Sequence, residues 1–287
     1  VNSEAFRLVY EAVVHGRAVE PGELLEECIE AASKNKVLLE FLRAAGVQGR
    51  LRALEEARYR LFLEALHLVS RALRGLNYVF FKLRKPARYV PSDIDVLVDP
   101  GDAARARRRL ERVGFRVEVL EPYTITMRRG RVIVDLYTYP TVGGVVYLDG
   151  PRLLEYRELG VFEGLEIPLL ERPLEALVAA AHAVYKERLY TLNDYVTLAR
   201  WGSRTMLRLA EELGCSDAVR EALRIHSMVY MGGVLPYRIP LARWLLLLLR
   251  KASRDAATRA TLPNIARAFE DPRFGELVRS KLLRETY

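Results

Sequence analysis

The segment Ser92-Asp93-Ile94-Asp95-Val96-Leu97-Val98 sets two carboxylates two residues apart where an apolar run begins. On a β-strand alternate side chains share a face, so Asp93 and Asp95 would point the same way with Cα atoms about 6 to 7 Å apart. Carboxylates held like this can share one divalent cation, or serve a pair of ions about 3.5 to 4 Å apart that bind a triphosphate and an attacking hydroxyl. A third acid, Asp135, sits in the middle of Val132-Ile133-Val134-Asp135-Leu136-Tyr137. A carboxylate inside so apolar a strand is costly unless a charge compensates it, and a metal shared by Asp93, Asp95 and Asp135 would do so. An Asp-x-Asp pair alone is common on surface loops; the third buried acid is what points to a site.

These residues need a sheet to position them. From Asn2 to Gly75 the apolar residues return every three or four positions, with breaks at Gly16, Pro21-Gly22 and Gly46, a helical pattern. Leu51 to Leu73 reads as one long amphipathic helix with Leu54, Leu61, Leu68 and Leu73 on its apolar side and Arg52, Glu55, Glu56, Arg58 and Arg60 on its wet side. At Asn77 the period shortens. Tyr78 to Phe81 predicts a buried strand ending in Lys82, followed by a basic loop containing Pro86 and Pro91, and Ile94 to Val98 a second strand. A helix is expected from about Asp102 to Val113, then strands over Arg116 to Leu120, Tyr123 to Arg128 and Arg131 to Tyr137, the last two joined as a hairpin at Arg129-Gly130. Val145 to Leu148 and Val161 to Leu170 are short strand-like pieces. From Arg172 helices return, over about Pro173 to Lys186, Leu189 to Trp201, Arg204 to Leu213, Asp217 to Met231 and Pro240 to Ser253, with two short ones to Tyr287. The expected architecture is an α+β fold. A small mixed β-sheet domain (76–171) is flanked by an N-terminal helical region (1–75) and a C-terminal helical bundle (172–287). Trp244 to Leu249, apolar on every side, reads as central in that bundle or as a subunit contact, so a homo-oligomer is an open expectation.

At 287 residues, 51% of them hydrophobic, the chain can bury a substantial core. It has no run of about eighteen apolar residues to span a bilayer, and Glu4, Arg7 and Glu11 interrupt what a signal-peptide core would need. The expectation is a cytoplasmic protein with no membrane partner. Cys28 and Cys215 belong to no close pair and suggest neither a disulfide framework nor a thiolate zinc site. A single glutamine, four methionines and heavy use of Arg and Glu are habits of proteins from hot environments. Between Phe80 and Arg131 there are thirteen Lys or Arg against seven Asp or Glu, so this stretch holds +6 of the net +8. Positive charge around an acidic site suits a polyanionic partner, a triphosphate or a nucleic acid. The plainer reading of Arg105, Arg107, Arg108 and Arg109 is the solvated face of a helix.

The Ser-Asp-Ile-Asp segment, the helix after it and the third Asp within an apolar strand resemble the nucleotidyltransferase superfamily of DNA polymerase β. Within it the chain is most similar to the uncharacterised nucleotidyltransferase group, through the helices before Gly75, Phe81-Lys82, Ser92 to Asp95 and Ala180-Ala181-His182. The resemblance covers about Asn77 to Trp201. It implies that Asp93 and Asp95 hold Mg²⁺ (or Mn²⁺) and the triphosphate of an NTP substrate, and that Asp135 helps activate an acceptor hydroxyl for in-line attack on the α-phosphorus. The superfamily's usual Gly-Ser at the end of the first strand, which grips the terminal phosphates, is here Phe81-Lys82. Lys82, with Ser92 beside the acids and Arg84, Lys85 or Arg88 from the loop, would have to replace it. Lys186, one helical turn after His182, would reach a phosphate, against the local alternative of a salt bridge with Asp194.

Three functions follow as expectations. The first is transfer of a nucleoside monophosphate to an acceptor, with an RNA or tRNA end as first choice and a protein or small molecule second. The second is a catalytically weak or inactive protein that binds nucleotide or RNA on the same sheet. The third, a metal-dependent phosphodiesterase, is less favoured because His15, His67, His182 and His226 are scattered. Tyr123, Tyr137, Tyr139 and Tyr147 could offer a base-stacking surface, though tyrosines on strands are more often core or cross-strand pairs.

Overall fold

The structure is a computed structural model and describes residues 2–266. Four helices open the chain: α1 (Ser3–His15), α2 (Leu25–Lys34), α3 (Leu38–Ala44) and α4 (Arg50–Leu73). Next come β1 (Tyr78–Phe80), β2 (Ile94–Val98), α5 (Ala103–Arg112), β3 (Arg116–Glu121), β4 (Thr124–Arg129) and β5 (Val132–Tyr137). Two two-residue strands, β6 (Thr141–Val142) and β7 (Val145–Val146), and the short α6 (Gly150–Leu154) lead to β8 (Arg157–Phe162) and β9 (Leu165–Leu170). The chain then returns to helices: α7 (Arg172–Ala181), which runs into a π-helical turn over His182–Glu187, and, after β10 (Leu189–Tyr190), α8 (Leu192–Trp201), α9 (Arg204–Glu212) and α10 (Ser216–Tyr230). Strand β11 (Tyr237–Arg238) pairs with β10, and α11 (Leu241–Arg254) and α12 (Ala256–Thr261) follow. The last short helix expected from the sequence lies outside the described residues.

The α+β expectation holds, with a larger sheet than foreseen. Seven strands form one mixed sheet in the order β3-β4-β5-β2-β1-β9-β8. The β2/β5 and β1/β9 pairs are parallel and the rest antiparallel. Val161 to Leu170, expected as one strand-like piece, is a hairpin turn with its second arm. Glu163 and Gly164 both take positive φ (46° and 82°), the twist that a two-residue hairpin turn requires. The first arm was hard to see because Leu159 and Val161 are solvent-exposed on the edge strand, 67% and 70%, so β8 lacks the apolar-in, polar-out alternation.

The sheet separates two cores. One face, with Tyr78, Phe80, Ile94, Val96, Val98, Val134 and Leu136, packs against α4 and α5. The other, with Val79, Phe81, Leu97 and Tyr137, packs against the C-terminal helices, and α1 to α3 join that same core. Along α4 the buried residues are Glu55, Tyr59, Phe62, Ala65, Leu66, Val69 and Leu73. Leu54 and Leu61, expected inside, are exposed, while Glu55, expected outside, is buried and paired with Arg58. Both stripes have helical spacing; the aromatic one wins because Tyr59 and Phe62 fill the space beside Leu39 and the sheet. The leucines of α11 also divide: Trp244 and Leu247 are buried, with the Trp244 indole donating to the Tyr185 carbonyl at 2.9 Å, whereas Leu245, Leu246 and Leu249 are exposed. This helix is not buried on every side.

No helix among the described residues is long and apolar enough to cross a membrane. Cys28 and Cys215 are free and buried.

Candidate active site

Parallel pairing of β2 with β5 puts Asp95 directly opposite Asp135. Asp93 precedes β2 by one residue and shares the face of Asp95. One oxygen from each of the three carboxylates lies within 4.8 Å of the others. Because side chains alternate along a strand, these acids occupy the face of Leu97 and Tyr137, while Val96 and Leu136 between them enter the opposite core. The cluster therefore opens between the sheet and the C-terminal helices.

Each acid has its own support. Thr126, the cross-strand partner of Asp135, donates its hydroxyl to Asp135 Oδ1 at 2.6 Å, and the Tyr137 hydroxyl donates to Oδ2 at 3.2 Å. Lys186 Nζ donates to that same Tyr137 oxygen at 3.1 Å. Exposed Ser92 donates to Asp93 Oδ1 at 3.1 Å. Asp95 is 11% exposed and faces Lys82 Nζ at 2.7 Å, off the direction of an aligned hydrogen bond, so the contact is an ion pair that leaves Oδ1 without a hydrogen-bond partner. Burial pushes the Asp95 carboxyl up to about 7; Lys82 opposes the shift and Asp93 and Asp135 add to it.

Lys82 is itself built into place. It takes φ +60°, its amide donates to Glu175 Oε2 at 3.0 Å, and its carbonyl accepts from the Tyr89 hydroxyl at 2.9 Å. Its ammonium lies 5.1 and 5.2 Å from the ring centroids of Phe81 and Tyr137. Glu175, on α7, has no solvent exposure and its Oε1 has no hydrogen-bond partner. Burial raises its carboxyl to about 7, against the opposing charges of Lys85 and Arg84.

The π-helical turn carries the second half of the site. His182 Nε2 lies 3.2 Å from Glu187 Oε1, and its Nδ1 lies 3.3 Å from the Tyr147 hydroxyl. Burial, with Lys82 and Lys186 nearby, drives the His182 pKa well below the usual histidine value, so the ring is neutral at pH 7. Glu187 stays ionised: against burial, the hydrogen bond from His182 and the charges of Lys186 and Lys36 hold its carboxyl well below the ordinary range. A neutral His182 thus donates from Nε2 to Glu187 and accepts from Tyr147 at Nδ1. Inserting a π turn in a helix rotates the following side chains relative to an α-helical path, which brings Lys186 over the Tyr137 ring at 5.2 Å. Asp194 caps α8, accepting from the Thr191 hydroxyl at 2.7 Å and amide at 3.1 Å.

Of the residues singled out from sequence, Asp93, Asp95, Asp135, Lys82, Ser92 and Lys186 come together. Arg84 and Arg88 do not join the cluster. Arg84 donates to Glu158 at 2.6 Å and to the Leu170 carbonyl at 2.5 Å, tying the loop to the β8/β9 hairpin, and Arg88 pairs with Glu163 at 3.1 Å. Of the tyrosines, Tyr137 and Tyr147 are buried beside the acids, and Tyr123 meets Tyr139 edge-on at 5.4 Å; they form no common stacking face. Sequence reasoning missed Lys36, Glu175 and Glu187, each more than 35 residues from the nearest acid and without a motif to mark it.

The model of the uncharacterised nucleotidyltransferase family matches residues 37–230, beyond both ends of the stretch that carried the resemblance. The chain belongs to that family. It is thus a nucleotidyltransferase domain of the DNA polymerase β-like superfamily. Among curated proteins none matches the chain. Solved structures with a partial likeness include a crystal structure of ANT(2")-Ia in complex with adenylyl-2"-tobramycin, at 13% identity and TM-score 0.41 over 53% of this chain and 96% of that one. A solution structure of the antibiotic-resistance factor ANT(2'')-Ia gives 15% identity and TM-score 0.35 over 70% and 97%. At these scores neither likeness carries an argument about this chain.

The donor set of this nucleotidyltransferase domain fits a hard divalent cation. All three side chains are carboxylates, their oxygens converge, and Asp95 carries a buried charge that a cation would relieve. This is the only such group among the described residues.

Proposed function

We propose that this cleft transfers a nucleoside monophosphate from an NTP to an acceptor hydroxyl. The observation that carries the reading is the convergence of Asp93, Asp95 and Asp135 within 4.8 Å, with Lys82 and Lys186 at its edge. Asp93, Asp95 and Asp135 would hold Mg²⁺ or Mn²⁺, which when bound neutralises phosphate charge and lowers the pKa of an attacking hydroxyl. The acceptor oxygen attacks the α-phosphorus, the bond from that phosphorus to the β-phosphate oxygen breaks, and pyrophosphate leaves. Asp135, held by Thr126 and Tyr137, receives the acceptor's proton. Lys82 and Lys186 take the charged contacts that Gly-Ser supplies elsewhere in the superfamily.

The acceptor follows less from charge than the sequence suggested. Arg105 and Arg107 pair with Asp102 and Glu111, and Arg109 binds the Ala72 and Arg74 carbonyls. Their helix, α5, covers the sheet face opposite the acids. These arginines lend no charge to the cleft, so a protein side chain or a small molecule stands level with an RNA end as acceptor.

The test is incubation with Mg²⁺, each labelled NTP, and total RNA, protein or small-molecule extract. The expected outcome is a labelled acceptor and released pyrophosphate from the wild type and neither from Asp95→Asn. Full activity in that variant would sink the mechanism. The second reading, nucleotide binding without turnover, is favoured by the Phe81-Lys82 replacement and would show as a raised Tm with every NTP but no product.

A further inference from the structure

Among the described residues, five that are not glycine take positive φ: Lys36, Lys82, Tyr123, Glu163 and Arg188. Glu163 belongs to a hairpin turn. Lys82 carries the ammonium facing Asp95, and Arg188 ends the π turn that bears Lys186 and Glu187. Left-handed backbone outside glycine is disfavoured and gathers where surrounding structure holds it for a purpose. Lys36, at φ +56°, lies in the turn between α2 and α3, in the N-terminal helical region, which the reaction as described does not use.

The hold on Lys36 is elaborate. Asn35, with no solvent exposure, donates to the Ala31 carbonyl at 2.9 Å and the Leu235 carbonyl at 2.8 Å. It accepts the Leu192 amide at 2.9 Å, and its carbonyl accepts the Asn193 amide at 3.3 Å. Buried Asn193 in turn donates to the Lys36 carbonyl at 2.9 Å. Three of these five polar contacts lock residues 35 and 36 onto the start of α8, the helix that follows the π turn, and the other two tie Asn35 to α2 and to the segment before β11. A helix end that merely had to stop could do so with a glycine; here a long cationic side chain stands in the strained position. The Lys36 ammonium lies within electrostatic reach of Asp93, Glu187, Asp194 and Lys82. Burial draws its pKa down, and Glu187, Asp194 and Asp93 oppose that shift. The docking at Asn193 thus sets Lys36 beside the start of α8, with its charge near Asp93 of the acid cluster and near Glu187 of the π turn.

We propose that Lys36 is a substrate-binding residue that completes a three-lysine cradle with Lys82 and Lys186 for the polyphosphate chain of a nucleoside triphosphate. The inference rests on the nucleotidyltransferase reading given above. It assigns the N-terminal helices a direct part in binding and says what stands in for Gly-Ser: point charges from three separate elements in place of one phosphate-gripping loop.

The test measures binding of each Mg²⁺-NTP and the matching nucleoside monophosphate by titration calorimetry. Mn²⁺ binding is followed separately. The variants are Lys36→Gly, Lys36→Met and Lys36→Arg. Glycine accepts φ +56° without strain, so Lys36→Gly keeps the fold even if the methionine variant does not. In the glycine variant NTP affinity should fall at least about tenfold, with monophosphate and Mn²⁺ affinities within about twofold of wild type; Lys36→Arg should recover most of the loss. If the wild type binds NTP and Lys36→Gly binds it equally well, the assignment of Lys36 is overturned while the proposed function stands. If the wild type binds Mn²⁺ but no NTP, both fall.

Discussion

The two faces of the central sheet are made by the same strands and do opposite things. Val96, Val98, Val134 and Leu136 point into a dry core under α4 and α5. Asp95 and Asp135, alternating with them, point the other way and meet Lys82, Thr126 and Tyr137. One face is held by apolar burial, which tolerates changes of chemistry only at a cost in stability. The other holds like charges close together, an arrangement that burial opposes and that only cations offset. The rigid face is what allows the charged face to be precise, because packing on one side fixes where the alternate side chains must stand.

That contrast can be broken by substitution. Asp95→Asn should cut transfer by roughly a thousandfold or more while the fold persists, whereas Val96→Ala, one residue away on the other face, should cost about 2 kcal/mol of stability and leave kcat within a few-fold. Steady-state kinetics and urea denaturation of both variants would check this; equal loss of activity in both would erase the distinction. Tyr137→Phe keeps the buried ring but removes the hydroxyl that joins Asp135 to Lys186. It should lower kcat on the order of tenfold to a hundredfold with a stability change of about 1 kcal/mol, read as kcat against Tm.

The smallest effect lies away from the sheet. His226 stacks on Tyr195 at 4.1 Å and lies 2.9 Å from the Tyr190 hydroxyl, and burial lowers its pKa from 6.5 to about 4. The folded state resists a proton that the unfolded state accepts. Its contribution to stability is therefore complete above about pH 6.5, shrinks as pH falls, and stops changing below about pH 4. Differential scanning between pH 7 and 4 should show His226→Phe losing less Tm than the wild type over this range, by a few degrees. Parallel curves would mean that His226 is protonated without cost.

Much of the site was legible because it is local. Asp95 and Asp135 sit in short apolar strands, and Asp93 just before one, where alternation decides direction, and a carboxylate in such a strand demands a partner. Lys82 was legible as the cation that closes the apolar run of β1, two residues past the strand's end. Glu175 and Glu187 were not, since each reads as an ordinary helix acid until the fold brings it to the cleft. The same holds for the basic stretch: charge counted along the chain merged the lysines of the cleft with the arginines of α5, which the sheet separates. On α4 and α11 the periodicity identified helices correctly but not their buried sides, because two apolar stripes competed and only the neighbours chose.

By itself the sequence determined that two acids would stand on strands, with a third at a strand's entry, in a sheet flanked by helices, since strand alternation and helix periodicity depend on residues a few positions apart. The tertiary structure decided that β2 pairs with β5 so that Asp95 faces Asp135, that β9 joins β1 in a seven-stranded sheet, and that Asn35 and Lys36, far upstream, dock on the start of α8. These depend on which apolar faces bury each other and which buried polar groups, such as Asn35 and Asn193, find partners about 150 residues away in the chain, and no local pattern encodes that choice.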